Sequence, residues 1–426
     1  MSRQLAAVGL AAALLFLVSW SLLHHAWWGR HQIVDTPTYE RYGDAMDAGE
    51  VPYRDFDLEY PPGALPVFLA PELTARRVDF GSYGHSFEKW MAGCGVAAIL
   101  LCGAALAALR ATPARAAAAL GFVAVSPLLL GSVFLSRFDL WPAALTVGAL
   151  AALLAGLDLV GAVVLALAVA AKLYPAVLVP LGLAWVWRRR GVRAAAAWAA
   201  LLVGALAAVF IPFAIVSPGG LAHAFGTQFS RPLQIESLGA ALLVAAHHVG
   251  GLAVTMHSDH GSQNLAGGAA TWAAAVSTGL QLATLGLVWT AFARGAATRE
   301  RLVLASAAAV AAFIAFGKVF SPQFMIWLVP LVLLVPLVRG RRGAVASGLL
   351  AAALVLTQIW FPDRYWQYAL EFQPFESGLV LARDVLVVAL AALLAAPLLE
   401  DERLGEEHPL REALEPVGRQ VEARSP

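Results

Sequence analysis

Apolar residues along this chain neither alternate nor keep to one helical face; they come in long runs broken by short polar connections. Twelve such runs predict membrane-spanning helices at about 5–23, 90–109, 116–135, 140–157, 159–171, 174–187, 192–216, 265–293, 302–317, 323–338, 343–360 and 377–399. A helix needs roughly 20 mostly apolar residues to cross about 30 Å of hydrocarbon, and runs meeting or approaching that length recur from end to end. The expected fold class is an all-α polytopic membrane protein with about 12 transmembrane helices.

The polar connections divide into two kinds. Four short ones hold Arg110 and Arg115; Arg188, Arg189, Arg190 and Arg193; Arg294, Arg299 and Arg301; and Arg339, Arg341 and Arg342, against the single acid Glu300. The positive-inside rule makes these cytoplasmic, with both termini on the same side. The long connections 24–89, 217–264 and 361–376 then face outward and carry most of the acids. Stretch 159–187 tests this topology. As one helix it would leave Arg188–Arg190 outside, whereas two short passes broken at "KLYP" (172–175) by Pro175 return that run to the cytoplasm. Lys172 and Tyr174 would then lie below the outer surface, lining a recess. Helix-like pieces at 38–48, 64–73 and 236–249 are expected to lie along the outer face. Residues 1–399 read as one membrane domain without internal duplication, and 400–426 as a charged cytoplasmic tail.

Composition agrees. Of 426 residues 60% are hydrophobic and 13% charged, with mean hydropathy +0.72, where soluble domains carry about 25% charged residues. The net charge of +1 gives no nucleic-acid signal. Cys94 and Cys102 are eight residues apart, about 12 Å along a helix and too far for a disulfide. Residues 5–23 are followed by His24, His25, Trp27 and Trp28 rather than a small-residue cleavage site, which suits an uncleaved first helix with an aromatic belt.

The densest polar region is "DTPTYERYGDAMDAGEVPYRDFDLEYPPG" (35–63). Asp35 comes about a dozen residues after the first span, near the membrane surface. Asp55, Asp57 and Glu59 alternate before Tyr60-Pro61-Pro62, which sets an extended turn. These acids read either as a solvated loop or as a source of a general base that takes a proton from an attacking hydroxyl. An intramembrane lysine such as Lys172 usually faces a cavity and marks function. Arg231 has the planar fork that suits phosphate. Arg137 and Asp139 bracket a tight hairpin and are expected to pair locally, as are Arg383 and Asp384 with their neighbours. His247, His248, His257, Asp259 and His260 share one loop but lack the spacing of a metal motif, so no metal is expected. No P-loop, nucleophile elbow or dinucleotide fingerprint is present.

In order, D-x-x-x-Y (Asp35, Tyr39), G-x-x-P-Y-x-D-F (Gly49 to Phe56), E-Y-P-P (Glu59 to Pro62), "AAKLYP" (170–175), "RPLQIES" (231–237) and "FSPQFMIWLVP" (320–330) run along residues 1–399. Together they resemble the GT-C superfamily of membrane glycosyltransferases, specifically glycosyltransferase family 87, which includes polyprenyl-phosphomannose-dependent mannosyltransferases. The resemblance implies an active site on the extracytoplasmic side of the plasma membrane. There an inverting transfer would move a hexose, with mannose favoured, from a polyprenyl-phosphate sugar donor to a lipid or glycan acceptor. It makes Asp35 the base and Lys172 and Arg231 donor-phosphate ligands. Tyr39, Asp57, Glu59, Tyr174 and Gln323 join them as substrate-binding candidates. No cofactor is expected beyond that donor. An arabinofuranosyltransferase of the same fold is the nearest alternative, and a transporter or lipid flippase the main rival from another class. The absence of repeats and the gathering of acids outside the spans weigh against transport.

Overall fold

The computed structural model describes residues 3–29, 32–78 and 82–414. The chain is an all-α polytopic membrane protein, and among the described residues seven helices are long and apolar enough to cross a bilayer. In chain order the helices are α1 (Arg3–Leu22), α2 (Thr36–Asp47), α3 (Leu65–Val78), α4 (Tyr83–Ala108), α5 (Pro113–Leu130), α6 (Val133–Ser136), α7 (Leu140–Ala155), α8 (Asp158–Ala171) and α9 (Val179–Arg190). Then come α10 (Val192–Val216), α11 (Pro218–Ser230), α12 (Leu238–Gly250), α13 (Gly268–Arg294), α14 (Arg299–Ala315), α15 (Met325–Val332), α16 (Val335–Trp360), α17 (Tyr365–Ala369) and α18 (Pro374–Leu414).

The seven long apolar helices are α1, α4, α5, α10, α13, the Arg339–Trp360 part of α16 and the Pro374–Glu400 part of α18. The other expected spans form shorter pieces: α7, α8, the Tyr174–Leu178 turn with α9, α14, and the Pro322–Phe324 turn with α15. Burial sorts them. Helices α7, α14 and α15 are covered over most of their length and form the centre. Helix α10 buries only Ala195, Trp198 and Leu202, and leaves Val203, Ile211 and Ile215 more than half exposed. An apolar helix bare on most of its surface needs lipid, not water, around it.

The break at "KLYP" turns the chain back on itself. At the far end of the α8–α9 hairpin, Arg190 pairs with Asp158 and donates to the Gly156 carbonyl at 3.0 Å. Arg188 reaches the Ala293 carbonyl in the last turn of α13, Arg189 the Ala297 carbonyl in the α13–α14 connection, and Arg299 donates to the Leu154 carbonyl at 2.9 Å. Two of the four arginine-rich connections therefore meet, with Lys172 at the opposite end of its hairpin. Helix α8 has 14 residues, or about 21 Å of rise, so neither arm is a full-length crossing.

Three departures from the expected elements stand out. A three-stranded antiparallel sheet in the order β1 (Leu233–Gln234), β3 (Ser262–Ala266), β2 (Thr255–Asp259) occupies part of the long connection before α13. It delays α13 to Gly268. Its hairpin turns at His260 and Gly261, both at positive φ (52° and 64°), the two-residue geometry matched to strand twist. Helix α4 starts at Tyr83, earlier than the apolar run. Helix α18 continues through Leu414, so the tail expected from 400 begins inside a helix, and its last part, 415–426, lies outside the described residues. The pieces expected at 38–48, 64–73 and 236–249 correspond to α2, α3 and α12. Cys94 and Cys102 are free thiols.

Candidate functional site

Asp35 is the residue before α2, and Pro37 sets the first turn of that helix. The Asp35 carboxylate caps no backbone amide. It accepts instead from the Tyr39 hydroxyl one turn on, at 3.3 Å. Tyr39 is buried in an aromatic nest, its ring 4.7 Å from Phe68, 5.4 Å from Phe87 and 5.7 Å from Phe138. Burial pushes the Tyr39 hydroxyl well above the usual phenol range, so it stays a donor to Asp35. The second partner of Asp35 comes from far along the chain. The Arg137 guanidinium forms an ion pair with it and donates from Nη2 to the Ile33 carbonyl at 3.2 Å.

This overturns the expected local pair between Arg137 and Asp139. Arg137 is extended at the end of α6 and Asp139 is the helical N-cap of α7, and the two side chains take different partners. Asp139, 1% exposed, accepts from Lys172 Nζ at 2.6 Å and from Trp327 Nε1 at 2.6 Å. Lys172 lies at the C-cap of α8, where the backbone becomes extended. Its ammonium sits 4.6 Å from the Phe138 ring centre and 5.2 Å from that of Trp327, an aromatic setting that favours a cation. Charges thus alternate across segments distant in sequence: Asp35, Arg137, Asp139, Lys172.

The first connection is held over this group by close backbone approaches. A Cβ at Gly63 would lie 2.5 Å from the Ala170 carbonyl carbon, so only glycine lets the Pro61-Pro62-Gly63 turn rest on the end of α8 beside Lys172. Trp141 Nε1 donates to the Gly63 carbonyl at 3.1 Å. Ser217 donates to the Tyr53 carbonyl at 2.8 Å, and Gln228 to the Glu59 carbonyl at 3.0 Å. The loop is thereby fastened to the α10–α11 joint as well.

The remaining candidates are placed less uniformly. Arg231, at the C-cap of α11, has a buried Nε without a hydrogen-bond partner and acts electrostatically on Lys172, Glu236 and Lys318. Tyr174 does not line an open recess. It is 2% exposed, stacked on Trp327 at 4.0 Å and bonded to the Thr146 hydroxyl at 3.0 Å, so it holds the hairpin break together. Gln323 is half-buried in the turn before α15. Asp57 is exposed, whereas the Glu59 carboxylate faces the hairpin tip at Gly261. Asp55 is tied to Arg54, whose hydrogen bonds pull its carboxyl down to about 2, and it accepts the Val51 amide at 2.8 Å. Among the described residues no three His, Cys, Asp or Glu side chains converge.

Sequence reasoning missed three contributors, Arg137, Asp139 and Trp327. The signal was present as an Arg and an Asp stranded between apolar runs, where unpaired charges are costly. A second buried group adjoins the first. Arg383 pairs with Asp384 at 2.8 Å and donates to the Glu236 carbonyl at 2.7 Å, while Glu236 shares a hydrogen bond with Tyr365. Burial pushes the Glu236 carboxyl up to about 7. No protein-family model matches the chain, and no curated protein matches it.

Proposed function

We propose that this protein is a GT-C-type, inverting membrane glycosyltransferase that moves a hexose, with mannose favoured, from a polyprenyl-phosphate donor to a lipid or glycan acceptor. The reading includes about 12 crossings, cytoplasmic termini and a site on the extracytoplasmic face of the plasma membrane. The observation that supports it most is the convergence of the acid after the first helix, Asp35, with Arg137, Asp139 and Lys172. Arg231 stands close enough to share their field. A base beside several cations is what displacement of a phosphate by a hydroxyl demands.

In this reading the acceptor oxygen attacks the anomeric carbon from the face opposite the phosphate. The bond from that carbon to the phosphate oxygen breaks, and the hydroxyl proton passes to Asp35. Lys172 and Arg231 stabilise the negative charge that collects on the departing polyprenyl phosphate. The reaction supplies its own leaving group, and the side chains present can neutralise it. The test is direct. Purified protein, radiolabelled polyprenyl-phosphomannose and a lipid extract should yield labelled acceptor with inverted anomeric configuration. Absence of label with every available polyprenyl-phosphate sugar would sink the reading.

A further inference from the structure

The base is not free in this structure. Arg137 holds it, and a carboxylate whose oxygen is engaged by a guanidinium accepts a proton less readily than a free one. We infer that Arg137 is an exchange partner: the phosphate of an isoprenyl phosphate ligand takes the Arg137 guanidinium from Asp35 and so unmasks the carboxylate. This rests on the transferase reading of the same site and gives a role to a residue that reading leaves unused.

Four observations carry it. Arg137 has a side chain only 8% exposed, with its Nε buried and unpartnered, so the cation is desolvated and under-satisfied. Its anionic partner is much less confined. The Asp35 side chain is 34% exposed, caps no amide, and is otherwise restrained only by the 3.3 Å contact from Tyr39. Swinging Asp35 away therefore costs little beyond the ion pair itself. Third, Arg137, Lys172 and Arg231 act on one another electrostatically through Lys172, and against them stand Asp35 and Asp139. That gathering of cations is the setting a phosphate anion needs. Fourth, a guanidinium fork suits two phosphate oxygens, and phosphate offers more acceptor positions than the carboxylate it displaces. The consequence is an ordered reaction. Without the phosphate Asp35 is masked and does not activate water; with it, Asp35 is available to the acceptor hydroxyl.

The exchange has a signature independent of sugar transfer. Full-length protein in nanodiscs is titrated calorimetrically with farnesyl monophosphate and, separately, inorganic phosphate. Arg137→Gln should weaken farnesyl phosphate binding about tenfold, and Arg137→Lys less. Asp35→Asn should tighten it about tenfold, because the competing carboxylate charge is gone. In the double variant the gain from Asp35→Asn should vanish. Unchanged or weaker binding by Asp35→Asn, additive effects in the double variant, or no farnesyl phosphate binding by the wild type would each overturn the exchange. Equal affinity for inorganic phosphate would overturn the isoprenyl ligand. If Arg137→Gln does not fold, Arg137→Lys and Asp35→Asn still decide the matter. Labelled transfer measured alongside separates the two claims. The expected binding pattern without transfer sinks the transferase alone, and transfer with additive variants sinks the exchange alone.

Discussion

Lys172 offers a perturbation whose size can be worked from the geometry. Its ammonium and the Asp139 carboxylate are 2.6 Å apart, with side chains 16% and 1% exposed. At an effective dielectric of about 20 that separation corresponds to about 6 kcal/mol of gross attraction, most of it offset by desolvation. Removing one partner of such a pair is costlier than the pair's net worth, because the other charge stays behind. Lys172→Met keeps the apolar stem but leaves Asp139 with Trp327 Nε1 as its donor and with Oδ2 unpartnered. The expected loss is about 3–5 kcal/mol. Asp139→Asn keeps the bond from Trp327 and should cost less, since Lys172 is nearer solvent than Asp139. The double variant Lys172→Met/Asp139→Asn should regain about 2–3 kcal/mol over the Lys172→Met single variant. Reversible unfolding in mixed SDS micelles, followed by tryptophan fluorescence, measures all four proteins. Wild-type stability in Lys172→Met, or strict additivity in the cycle, would refute the buried-pair reasoning. Transfer assays on the same proteins add a second decision. A phosphate ligand at Lys172 predicts that the double variant recovers stability but not donor use, whereas a purely structural pair predicts recovery of both.

Other outcomes follow from single features. Asp35→Asn should reduce transfer by about 10²-fold or more, with Asp57→Asn and Glu59→Gln causing only modest losses; equal losses in all three would point to bulk loop charge instead. Single cysteines at Ser82 or Ser258, in a background lacking Cys94 and Cys102, should react with an impermeant thiol reagent on intact cells, and labelling only after lysis would reverse the proposed orientation. Glu236 titrates near 7 in the folded protein, above the ordinary carboxylate range, so the unfolded chain releases its proton first as pH rises. Its contribution to stability is present at low pH and is lost between about 4.3 and 7. Glu236→Gln should flatten the pH dependence of unfolding across that window, and an unaltered slope would assign the titration elsewhere.

The helices were legible because the information for them is local. Run length, Pro175 at the hairpin break, Pro37 at the start of α2 and the change of composition at each arginine cluster act on neighbouring residues, and the chain follows them. The same is true of the absent disulfide, which needs only helix rise. The sheet was not legible. Strands β2 and β3 carry polar and charged residues, and the edge strand β1 is two residues brought from before α12. Such pairing is a property of the folded backbone, not of any window. Charge partners divide in the same way. Asp55 takes its neighbour Arg54, and Arg383 takes Asp384. Arg137 and Asp139, two residues apart in the turn between α6 and α7, point to different neighbours, and only the packing of α2, α7, α8 and α15 decides that these are Asp35 and Lys172. Sequence alone thus marks which residues could carry charge chemistry near one face. Tertiary structure decides which charges are already paired, because that depends on which desolvated group finds an opposite charge within reach.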